Sequence, residues 1–88
     1  MKLNGKLIIG TKILKETTVE IETHGEETSF RENLEDCLIS LCKELDIQVP
    51  MWLKKNTTEF VNYGRTSFTD EQFFEKVDFR RFEIRYFK

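Results

Sequence analysis

The residues of this chain best suited to binding lie in its second half. Lys54, Lys55, Arg65, Arg80, Arg81, Arg85 and Lys88 are seven of the eight cations after Met51, and Trp52, Tyr63, Phe68 and Phe87 interleave with them. Basic side chains among aromatic rings are what a single-stranded nucleic-acid surface needs, because charge follows the phosphates while rings stack on bases. The charge balance leans the same way. Residues 1–50 carry six Lys/Arg against ten Asp/Glu, and residues 51–88 carry eight against six, so the net charge of −2 divides into −4 and +2. Packing is the competing reading of the same residues. If 50–63 is one helix, Trp52, Leu53, Phe60 and Tyr63 share a sector of about 100°. The rings then belong to the core, and Lys54 and Lys55 to its wet reverse side. Nothing matches the aromatic signature of an RNA-recognition motif.

Catalytic equipment is sparse. The one histidine, His24, stands beside Gly25 in an expected turn, with no serine, cysteine or carboxylate spaced to make a triad with it. Cys37 and Cys42 stand five apart, which on a helix separates them by about 140° and prevents a bridge between them. Their spacing is not that of a metal knuckle, and Asp36 is a poor neighbour for a reactive thiolate. They read as buried, reduced thiols. Glu26/Glu27 and Glu35/Asp36 read as loop and helix N-terminal charges. With no glycine-rich phosphate loop and no His/Cys ligand cluster, the expectation is a protein that is not an enzyme, with no cofactor and no metal.

The elements that must position these residues are legible in part. "KLIIGTKIL" reads as a strand, with Leu7, Ile9, Thr11 and Ile13 on one face and a bulge or close approach at Gly10. "KETT" reads as a turn and "TVEIET" as a second strand with Val19 and Ile21 inward. "HGEE" closes the hairpin region. Ser29-Phe30-Arg31-Glu32 is a capping-box pattern. It opens a helix to about Asp46 with Leu34, Cys37, Leu38, Leu41, Cys42 and Leu45 in one sector of roughly 140°. Ile39 is the one apolar residue on its polar face. Pro50 suits the first turn of a second helix. Asn56 falls in the apolar sector of that helix, either as a buried, hydrogen-bonded side chain or as the cap of a further short helix; the pattern leans towards a kink or break there. Gly64 ends the segment, "RTSF" is extended, and Thr69 to Gln72 caps a third, short helix through about Lys76. "RFEIRYF" alternates as a closing strand, with Phe82, Ile84 and Tyr86 on one face.

The order β-β-α-α-α-β predicts a single two-layer α+β domain over 1–88, with a mainly antiparallel three-stranded sheet and helices packed on one face. At 88 residues the chain supports one modest core. No segment approaches the roughly 18–20 apolar residues that span a bilayer, and no signal-peptide pattern is present, so a cytosolic protein without a membrane partner is expected.

From Leu34 onward, "LEDCLISLCKELDIQVPMWLKKNTTEF" and then "RTSFTDEQFFEKVDFRRFEI" resemble a family of small uncharacterised bacterial proteins of about this length. The resemblance implies a compact cytosolic bacterial protein and carries over no functional residue. The functional expectation is therefore a non-enzymatic module that binds another protein, with nucleic acid as the alternative partner through the basic, aromatic C-terminal half. Ile39, Lys54, Lys55, Arg65, Arg85 and Phe87 are the candidate contact residues.

Overall fold

The computed structural model describes residues 1–22 and 29–87. The expectations for His24, Gly25, Glu26, Glu27 and Lys88 lie outside the described residues. The chain forms β1 (Lys2–Ile9), β2 (Lys12–Glu20), α1 (Phe30–Leu45), α2 (Lys54–Tyr63), β3 (Arg65–Thr69) and β4 (Arg81–Phe87), with a short 3-10 turn at Asp70–Gln72. The four strands make one sheet in the order β2-β1-β4-β3, and every neighbouring pair is antiparallel. This is an α+β fold. Among the described residues the sheet has four strands, not three, and two α-helices stand where three were expected.

Each difference has a local cause. Gly10 is not inside a strand. It sits at φ 60 in the two-residue loop between Ile9 and Lys12, a conformation open to glycine at no steric cost. The hairpin therefore turns at Gly10-Thr11, and "KETT" lies within β2. The irregularity falls between Leu7 and Ile8, which pair with Lys15 and Ile13 and leave Leu14 as the extra residue. "RTSF" is not a bare connection. Thr66 and Phe68 lie opposite Ile84 and Phe82, so its alternating inward residues make it an edge strand. The third helix stops after Gln72. Its cap forms as expected, with the Thr69 N–H donating to Gln72 Oε1 at 3.0 Å. Phe73 then leaves helical geometry to pack edge-on against Phe79, ring centroids 5.2 Å apart.

The first helix follows its sequence pattern. Ser29 Oγ accepts from the Glu32 N–H at 3.2 Å, and Cys37, Leu38, Leu41, Cys42 and Leu45 are buried. That face packs on β1 and β2, above Leu3, Leu7 and Val19. Burial raises the thiol pKa at both cysteines. At Cys42 it pushes the value up to about 12; at Cys37 the N-terminal ammonium offsets part of the rise. Both should therefore label slowly with a thiol reagent in the native protein and rapidly in denaturant. Fast native labelling of either would mean that α1 lies in another orientation.

The second helix starts later than expected. Lys54 is its first residue and Leu53 its N-cap, so Pro50 and Trp52 belong to the connection before it. Asn56 does not break the helix. It is fully buried and takes the hydrogen-bonded alternative. Its Oδ1 accepts from the Leu53 N–H at 2.9 Å and from Gln72 Nε2 at 3.0 Å. Its Nδ2 donates to Thr66 Oγ1 at 2.8 Å and to the Ser67 carbonyl at 2.9 Å. One side chain thereby joins α2, β3 and the 3-10 turn.

Candidate functional site

Two surfaces stand out, one on each side of the sheet. The first is an apolar groove of about 580 Å³ between the two helices. Helix α1 packs over β1 and β2, whereas α2 packs on β3, so the helices diverge and leave space between them. Phe30, Leu34 and Leu38, one turn apart, form the α1 wall, and Thr57, Phe60 and Val61 form the α2 wall. Val49, Pro50 and Trp52 from the connection line the rest.

Several of these residues are unusually bare. Phe30 is 51% exposed and Val61 76%. Ile39 and Val49 also reach solvent. Single exposed apolar residues are ordinary; a contiguous group around a concavity marks a contact surface. The two charged residues that line the groove, Arg31 and Glu35, are of opposite sign, and the excess of carboxylates lies farther round α1. On the exposed face of α1 stand Glu32, Glu35, Asp36 and Glu44 against Arg31 and Lys43, and Arg31 is tied to Glu35 at 3.3 Å.

Trp52 is half-buried at this groove and also holds the aromatic core together. Its ring lies 5.9 Å from Phe60 and 5.6 Å from Phe68, and its indole N–H donates to Thr57 Oγ1 at 2.8 Å. Full burial of a tryptophan makes its truncation cost about 3–5 kcal/mol. Partial exposure puts Trp52→Ala near ~2–4 kcal/mol. Lys54→Ala and Lys55→Ala should each stay within about 0.5 kcal/mol of the parent. Denaturant melts of the three variants separate these outcomes.

The second surface is the outer face of the sheet. Arg65 and Arg85 are directly opposite each other there, and Phe87, 37% exposed, follows Arg85 on the same face by strand alternation. Tyr63, expected in the core, is 71% exposed. It helps line a shallow cleft of about 300 Å³ with Arg65 and Arg85.

The six residues expected to make contacts therefore divide. Ile39 borders the groove, where it is one apolar residue among several and not an isolated one. Lys54 and Lys55 are exposed on α2, and Lys55 Nζ donates to the Ser67 carbonyl at 3.3 Å, covering part of the β3 edge. Arg65, Arg85 and Phe87 gather on the outer face of the sheet. Sequence reasoning missed the groove, because its walls come from three separate segments and Trp52 read as packing. The apolar residues Val49 and Trp52 on either side of the one proline were the available signal.

Among the described residues no three of His, Cys, Asp and Glu come together as a metal site, and no helix is long and apolar enough to cross a membrane. No family model, curated protein or solved structure matches this chain.

Proposed function

We propose that this chain is a non-enzymatic interaction module of the bacterial cytosol that holds a basic amphipathic helix of another protein in the α1–α2 groove. The observation that carries this reading is the contiguous exposure of Phe30, Ile39, Val49 and Val61 around one concavity. An amphipathic helix laid into a hydrophobic groove is a recurrent way of burying such a surface. The carboxylates along α1 favour a partner whose polar face carries Lys and Arg, and they disfavour an acidic one. Two unbridged thiols fit a reducing compartment.

A synthetic helical peptide with leucines at i, i+3, i+4 and i+7 and lysines elsewhere is a sufficient probe. Calorimetry should show binding to the parent and a loss of about tenfold or more for Val61→Glu, because a charge in a desolvated contact costs at least ~1.4 kcal/mol. Val61 is 76% exposed, so the variant should fold normally. The same peptide with glutamate in place of lysine should bind more weakly. Equal binding of both peptides to parent and variant would refute the groove as the binding site.

A further inference from the structure

The geometry points to a second binding site, for single-stranded nucleic acid, on the outer face of the sheet: Arg65 and Arg85 take a backbone phosphate and Tyr63 takes a base. The site is independent of the groove and lies across the sheet from α1.

The register of β3 on β4 places two like charges together. Tyr86 N–H donates to the Gly64 carbonyl at 2.7 Å, which makes Gly64 and Tyr86 a hydrogen-bonded pair of the antiparallel ladder. Arg65 and Arg85, the next pair along, are then a non-hydrogen-bonded pair, the class whose side chains approach more closely. Like charges directly opposite destabilise a sheet, so this pair works against folding unless an anion joins it.

No carboxylate among the described residues supplies that anion. Among the described residues neither guanidinium has an ion-pair partner. The nearby carboxylates have partners of their own. Glu83 pairs with Arg81 at 3.1 Å, Glu16 accepts from Asn4 at 3.1 Å and meets Lys6 at 3.9 Å, and Glu59 accepts from Thr66 at 2.6 Å. Two arginines directly opposite each other on neighbouring strands can offer forked donors to one phosphate.

The surroundings suit a nucleotide better than a bare anion. The cleft that Arg65 and Arg85 line also includes Tyr63, whose ring is largely open to solvent and available to a base. Phe87 plays a positioning part. Arg85 Cζ lies 5.4 Å from its ring centroid and Lys2 Nζ lies 5.7 Å away, so the ring holds two cations in place. By strand alternation the outer face carries five cations against three carboxylates, in a chain whose net charge is −2. A local positive field on an acidic protein favours a polyanion at that face alone.

Fluorescence anisotropy with a labelled oligouridylate at low salt tests this. The parent should bind, with log K falling linearly with log salt. Arg65→Gln and Arg85→Gln should each weaken binding about fivefold or more and flatten the salt slope by about 0.7. Tyr63→Ala should weaken it about fivefold or more, and an abasic oligonucleotide should bind the parent as weakly as the intact one binds Tyr63→Ala. Val61→Glu, in the other surface, should bind like the parent. No binding at low salt would overturn the proposal. So would binding that heparin matches and Tyr63→Ala leaves unchanged, since that is charge attraction without a base contact.

Discussion

Asn56→Leu is expected to be the most damaging conservative-sized substitution in the protein, lowering stability by about 3–5 kcal/mol. Leucine nearly matches the volume but makes none of the four hydrogen bonds. The Leu53 N–H, Gln72 Nε2, Thr66 Oγ1 and the Ser67 carbonyl would each lose a partner inside a site with no exposure at Asn56. The Leu53 N–H would be left unpaired, at a cost of roughly 1–3 kcal/mol, while Gln72 Nε2, Thr66 Oγ1 and the Ser67 carbonyl would keep only Met51, Glu59 and Lys55 as partners. A domain with roughly 5–15 kcal/mol in total would be largely destabilised at room temperature. Denaturant melts decide it; a midpoint unchanged from the parent would show that the network is not holding α2 to β3.

Asn56→Asp adds a signed test of the same network. A carboxylate can still accept from the Leu53 N–H and Gln72, but it offers nothing to the Ser67 carbonyl. Burial and that lost donor raise its folded-state pKa above the unfolded value of about 3.9. The folded state then binds the proton more tightly, so this contribution is fully present below about 3.9 and disappears as pH rises through the folded pKa. The gap in stability between parent and variant should therefore widen from acid to neutral pH.

The second large effect is expected at Gly5. This residue lies in the middle of β1, opposite Thr17 on one side and Ile84 on the other. A Cβ there would sit 2.8 Å from Leu41 Cδ2 and 3.0 Å from Cδ1 and Cγ. Leu41 is fully buried, so its side chain must move within a packed core or α1 must shift to make room. Overpacking of this kind costs typically about 1–3 kcal/mol, which is the expectation for Gly5→Ala; Gly5→Val should exceed it. The cause is steric, so it should shrink when the obstacle is removed. In a Leu41→Ala background, Gly5→Ala should cost at least ~1 kcal/mol less than it does alone. Additive losses would mean that the close approach of α1 to β1 is not what glycine provides.

Both positions show what could be read from the chain. Helix α1 was legible because its cap and its apolar period agree, and local agreement of that kind survives folding. The closing strand was legible for the same reason. Asn56 was undecided because a buried amide inside a helix and a helix cap write the same four letters; only Gln72, Thr66 and Ser67, distant in sequence, distinguish them. Gly10 was placed inside a strand because the apolar run continues through the hairpin turn, and alternation cannot reveal a reversal that keeps apolar residues on both sides. RTSF was too short to announce itself as a strand without its partner β4. Of the candidate contacts, Arg65, Arg85 and Phe87 were named as cationic and aromatic residues, but the register that sets the two arginines opposite each other is a property of the sheet. Tyr63 was misplaced because a sector of 50–63 was drawn on a helix that begins at Lys54.

The central claim is that the cleft between α1 and α2 receives an apolar helical face. The most direct measurement is a titration of isotope-labelled protein with the leucine- and lysine-bearing peptide, followed by amide and methyl chemical shifts. The account predicts saturable shifts concentrated at Leu34, Ile39, Val49 and Val61, with Leu3 and Phe82 in the core and Thr18 on the far edge of the sheet unmoved. Absence of shifts at those four residues at peptide concentrations near millimolar, or shifts centred on Thr18 and the β2 edge instead, would contradict it.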